Sequence, residues 1–161
     1  MVELDLVGGE PERGLLLGMA AKTWNGDAKN LAVSVRDMDF KLELVAVPVS
    51  DVDRAKAFYT DQAGFNADHD HRVSDEIRFV QLTPPGSACS IAIGTSLGEQ
   101  PPPGSAQGLQ LVVSDINAAH AELAGRGVAV SDVQSFPWGD FVFFKDPDGN
   151  GWAVQAIPAR N

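Results

Sequence analysis

The chain has one cysteine in 161 residues. Cys89 therefore has no internal disulfide partner, and the core must form without covalent cross-links. Its surroundings, CSIAI, read as an apolar run in which a free thiol behaves as a small buried hydrophobe, and a reducing, cytoplasmic setting is expected. Positive charge is also scarce. Twelve basic residues face 22 acidic ones, giving a formal charge of −10 and a pI near 4.5. A field of that sign repels phosphate backbones and anionic bilayers, so neither nucleic acid nor membrane is expected as a partner. Long apolar stretches are missing too. LLLGMAA at 15–21 is far too short to span a bilayer, and it follows Glu3, Asp5, Glu10 and Glu12 where a secretory leader carries basic residues.

What is present is a duplicated plan. With 44% hydrophobic residues the chain can bury one sizeable core as a single domain. An offset of 64 carries Val49, Ser50, Asp51, Ala55 and Ala57 onto Val113, Ser114, Asp115, Ala119 and Ala121. The turn at Pro84 and Gly86 returns 63 residues later at Pro147 and Gly149. In each half a run of branched residues, LELVAVPV or LQLVV, reads as a strand. It ends at a Ser-Asp pair, where Ser50 or Ser114 is placed to cap a following helix and the aspartates favour its dipole. Val52, Ala55 and Tyr59, like Ile116, Ala119 and Leu123, fall at helical spacing, and Gly64 or Gly127 supplies the stop. Three strand-like segments follow in each half, near 66–73, 77–83 and 87–93, then near 128–135, 140–145 and 151–157. The halves are βαβββ units of 39–98 and 106–158, with PPPG in a linker at 99–105.

The segments PVSDVDRAKAFYTDQAGF and WGDFVFFKDPDGNGW, together with the duplication, resemble the vicinal oxygen chelate superfamily of glyoxalase I, bleomycin-resistance proteins and extradiol dioxygenases. The resemblance covers about 39–158. It implies an α+β fold in which two paired βαβββ modules form a curved, mostly antiparallel sheet around a cavity, in a homodimer. Metal-dependent members place four ligands, usually His and Glu, on the first and last strands of the modules. Those positions fall here on Leu44, Ser90, Gly108 and Ala153, which hold a divalent ion poorly. No metal and no cofactor are expected. The function implied is metal-independent binding of a small, largely apolar or aromatic organic molecule, with bleomycin-resistance proteins as the analogue. The alternative is an enzyme, a lyase, isomerase or dioxygenase: either a glyoxalase- or dioxygenase-type metalloenzyme with His69, His71 and Glu76 as substitute ligands, or a metal-free isomerase.

Residues two apart on a strand share a face, so Ala46 follows Leu44, Gln110 follows Gly108, and Gln155 follows Ala153. The expected ligand site is therefore Leu44, Ala46, Ser90, Gln110 and Gln155, with Trp138 and Phe141 as an aromatic wall.

Other motifs carry less. Asp146, Asp148, Asn150 and Gly151 mimic the start of a calcium loop, but its twelfth position is Ile157, so a turn is expected. GTSLG at 94–98 matches a nucleophile elbow in letters only, since EQPPPG follows where a helix is required. His69 and His71 read as a strand pair facing solvent, and His120 as solvated. Arg54, Arg72 and Arg78 show no partner pattern. Residues 1–38 lie outside the repeat and read as a peripheral extension, because MDFKLELVAVPVSD looks like the start of a module.

Overall fold

Both helices begin at an aspartate, one residue after the serine expected to cap them. Asp51 is extended, and its carboxylate accepts from the Arg54 amide at 3.0 Å. Asp115 accepts from Asn117 and Ala118 at 2.9 and 3.0 Å. A carboxylate brings a full negative charge to the positive helix end, which a hydroxyl lacks. Ser50 is used elsewhere, donating to Asp148 at 2.5 Å.

The computed structural model describes residues 39–95 and 97–158, and the chain divides into two units, Met1–Phe40 and Lys41–Asn161. The expected extension at 1–38 lies outside the described residues. In the second unit the order is β1 (Leu44–Ala46), α1 (Val52–Ala57), β2 (Asn66–Arg72), β3 (Arg78–Thr83), β4 (Ser90–Thr95), then β5 (Leu109–Val113), α2 (Ile116–Gly125), β6 (Gln134–Phe136), β7 (Gly139–Lys145) and β8 (Gly151–Ala156). This is an α+β fold of two βαβββ modules. Each module makes its own four-stranded sheet, in the orders β1-β4-β3-β2 and β5-β8-β7-β6. In both, first and last strands pair in parallel and the hairpins are antiparallel.

Helix α1 runs on into a π-helical turn, Phe58–Gln62, and stops at Gly64, whose φ of +77° suits glycine. The strand expected at 128–135 is shorter. Val128 is drawn into the core, and of 128–133 only Ser131 bonds β7, through the Phe143 carbonyl at 2.8 Å.

One core joins the modules. Phe58, Tyr59 and Phe65 of the first meet Phe144 and Trp152 of the second, with Tyr59 and Trp152 ring centroids 5.9 Å apart. Through this seam runs a buried polar chain. The Trp152 indole donates to the Tyr59 hydroxyl at 3.1 Å, and that hydroxyl donates to Asp146 at 2.8 Å. Asp146 also accepts from the Asp148 and Asn150 amides and from Asn150 Nδ2, which in turn donates to the Pro48 carbonyl at 2.8 Å. The DPDGN stretch is thus a turn, as expected, and also the anchor of the seam. Burial, with the Asp146 charge behind it, pushes the Tyr59 phenol far above its ordinary range.

Two arginines expected to stand alone are paired, Arg54 with a residue 94 positions away and Arg78 across the β2–β3 hairpin and to α1. Arg78 grips Asp70 with two nitrogens at 2.9 Å and Asp53 with a third at 2.6 Å. Lys56 adds 2.7 Å to Asp70, so these charges tie α1 to the β2–β3 hairpin. Arg54 reaches Asp148 at 3.0 Å. His120 and Cys89 are both half-buried, neither solvated nor fully enclosed.

Candidate functional site

Strand alternation gives each sheet one face in the core and one turned away from it. In the first sheet Val80, Leu82, Ile91 and Ile93 face the core. The opposite face carries Leu44, Ala46, Gln81, Thr83, Ser90 and Ala92. Leu44 pairs with Ser90 and Ala46 with Ala92 across β1 and β4. The Ser90 hydroxyl is engaged by Thr83 Oγ1 at 2.6 Å and by Gln81 Nε2 at 3.1 Å. His69 pairs with Gln81 and His71 with Phe79, which puts both imidazoles on this face, exposed and stacked with centroids 5.6 Å apart.

In the second sheet Val142, Phe144, Trp152 and Val154 face the core. The other face holds Gln110, Val112, Phe141, Phe143, Ala153 and Gln155. Gln110 Nε2 donates to Gln155 Oε1 at 2.5 Å, and Gln155 Nε2 donates to the Trp138 carbonyl at 2.8 Å. The two amides and the Trp138 loop therefore hold one another in place. An aromatic row crosses the same face. Trp138 stacks on Phe136 at 5.4 Å, Phe136 meets Phe141 edge-on at 5.6 Å, and Phe141 stacks on Phe143 at 5.9 Å. Trp138 is 62% exposed and Phe136 and Phe143 39% each, an unusual amount of aromatic surface to leave in water.

Beside the row lies an open groove of about 710 Å³, lined by second-module residues including Gly108, Ser131, Phe143, Lys145, Trp152 and Ala153. The structure thus gathers Leu44, Ala46 and Ser90 on one sheet, and Gln110, Trp138, Phe141 and Gln155 on the other. Among the described residues no hydrogen bond or ring contact joins the two groups, and none of the seven lines the groove, although Gln110 pairs with Ala153 on its wall. Phe136, Phe143 and Lys145 were not anticipated.

The positions at which metal-dependent relatives carry ligands also divide between the sheets. Leu44, Gly108 and Ala153 have no donor atom in their side chains, and Ser90 Oγ is already hydrogen-bonded to two side chains. These residues do not fit a divalent metal. Nor do substitutes form elsewhere: among the described residues no three His, Cys, Asp or Glu side chains are grouped to hold an ion.

The superfamily described as Glyoxalase/Bleomycin resistance protein/Dioxygenase matches residues 41–154. The chain belongs to this superfamily. Among solved members, TnmS3 of Streptomyces sp. CB03234, described as an antibiotic binding protein, is 35% identical, with a TM-score of 0.65 over 80% of this chain and 100% of its own. A superfamily member from Sphaerobacter thermophilus is 31% identical, with a TM-score of 0.64 over 73% of this chain and 98% of its own. The uncharacterized protein YetH of Bacillus subtilis is 30% identical over 115 residues, which is 69% of this chain and 93% of YetH. The superfamily's paired modules are the ones seen here. No described helix is long and apolar enough to cross a membrane.

Proposed function

We propose that this protein binds a small, largely apolar or aromatic organic molecule by stacking, without a metal. The observation that carries this reading is the exposed row Trp138–Phe136–Phe141–Phe143, held beside a groove by the locked Gln110–Gln155 pair. Planar aromatic surface with few, fixed hydrogen-bonding groups suits recognition of flat organic molecules. TnmS3, described as binding an antibiotic, is an analogue of the right kind. Leu44 and Ala46 supply further apolar surface on the other sheet, with Ser90 buried beside them. A homodimer and a cytoplasmic setting go with this proposal. Sequestration needs no acid, base or ion, which accords with the poor donor set at Leu44, Ser90, Gly108 and Ala153.

Metal content of the purified protein, measured beside a thermal-shift series with divalent ions and chelator, tests the metal-free reading. Indifference to both is expected, and near-stoichiometric metal whose removal lowers Tm would overturn it. Titration with planar aromatic compounds then tests the row. Trp138→Ala is expected to weaken binding about tenfold, or ~1.4 kcal/mol.

A further inference from the structure

We infer that the molecule taken by this groove carries an acidic group, a carboxylate or similar monoanion, which docks on Lys145. The inference rests on the binding reading above and narrows its ligand class.

Lys145 is the one charged residue among the groove's lining residues, which are otherwise apolar, glycine or the neutral polar Gln107 and Ser131. In so acidic a chain, a groove lined without any carboxylate is a local reversal of sign. Arg54, Lys56, Arg78 and Arg126 each have an ion-pair partner, and Lys41 and Arg72, which have none among the described residues, do not line the groove. Among the described residues no carboxylate pairs with Lys145.

Its placement suits a ligand more than the fold. Lys145 is exposed and pairs across the β7–β8 hairpin with Gly151, so no side chain stands opposite its stem. Gln107 lies over Gly151 instead, its amide nitrogen fixed to the Gly104 and Gly149 carbonyls at 3.1 and 3.2 Å. Ser131 is consumed as well, accepting from the Phe143 amide and donating to the Asp132 carbonyl. The ammonium is thus the groove's uncommitted charge. Two residues back on the same strand face, about 7 Å away, sits Phe143, where the aromatic row meets the groove. A flat ring stacked on Phe143 would put a substituent of that reach at Lys145. The chain's net negative charge opposes anions at a distance but is screened within about 8 Å at physiological ionic strength.

The test uses 2-anthracenecarboxylate and its neutral amide, 2-anthracenecarboxamide, titrated by fluorescence into the full-length protein, Lys145→Gln and Arg72→Gln. The wild type is expected to bind the carboxylate about five- to tenfold more tightly, a charge-assisted contact discounted for exposure. Lys145→Gln, with an unchanged Tm, is expected to bind both alike, while Arg72→Gln, a change on the other sheet, keeps the preference. Equal binding of the two probes by the wild type overturns the inference and leaves the binding reading standing. So does a preference that survives in Lys145→Gln or vanishes in Arg72→Gln. If neither probe binds the wild type, the binding reading falls and the inference with it.

Discussion

Tyr59 is the chain's only tyrosine, so its titration can be followed without interference from another phenol. Its hydroxyl accepts from Trp152 and donates to Asp146, all three side chains being buried. Replacing Tyr59 by Phe deletes a hydrogen bond to a charged acceptor and leaves the Trp152 N–H buried without a partner. Asp146 keeps its bonds from Asn150 and the turn amides. A charge-assisted bond contributes about 1.5–3 kcal/mol and an orphaned donor costs about 1–3, and the two are not additive because one hydroxyl serves both. We expect a net loss of about 2–3 kcal/mol in urea denaturation, or about 6–9 °C in Tm. The same geometry makes an alkaline prediction. The folded state raises the phenol far above the 10 at which an unfolded tyrosine ionises, so the contribution is complete below pH 10 and is lost as pH climbs beyond it. Tyrosinate absorbance at 295 nm should therefore stay flat in the native protein and rise only with unfolding, and Tyr59→Phe should lack this part of the alkaline decline. A loss under about 0.5 kcal/mol, or a native titration centred near pH 10, would refute the buried chain as described.

Two further outcomes follow from the charges. Arg78 first, and Lys56 with it, hold the Asp70 carboxyl well below the ordinary value of 3.8, so their contribution is present above about pH 4 and drains away as pH falls toward the depressed value. Arg78→Met should flatten the fall in urea midpoint between pH 4 and pH 2 relative to the wild type, and an unchanged slope would remove that ion cluster from the account. At the helix starts, Asp115→Ala should cost about 1 kcal/mol in urea denaturation while Ser114→Ala costs a few tenths, because the carboxylate alone caps α2.

Both helices and the hairpin turns are legible in the sequence because each rests on spacing within about ten residues, and the duplication because those short patterns recur at offsets of 64 and 63. The Ser-Asp pairs place the helix starts to within a residue, but adjacent good caps cannot be ranked until one of them, Ser50, is seen to serve Asp148. The seam is not legible. Asp146 reads locally as a turn residue, and its partner Tyr59 lies 87 positions upstream, where only the fold can bring it. At the site, strand parity brings Gln110 beside Gln155 and puts Phe141 on their face. The same parity, applied along DFVFFK, would have added Phe143 and Lys145, so that omission is one of counting and not of physics. Two-sheet geometry is a different matter. The modules at 39–98 and 106–158 already put Leu44 and Ser90 apart from Gln110 and Gln155, but nothing local says how the two faces are disposed.

The seam also has a consequence for the order of synthesis. Asn150 reaches the Pro48 carbonyl across 102 residues and Trp152 reaches Tyr59 across 93. On a ribosome, helix α1 emerges with Phe58, Tyr59 and Phe65 lacking the aromatic surface that will cover them, and waits for the last part of the chain to appear. At about 5–20 residues per second that interval is on the order of 5–20 s, long compared with helix or hairpin formation. During it the nascent first module leaves that apolar surface open to chaperones or to the matching turn of a neighbouring copy.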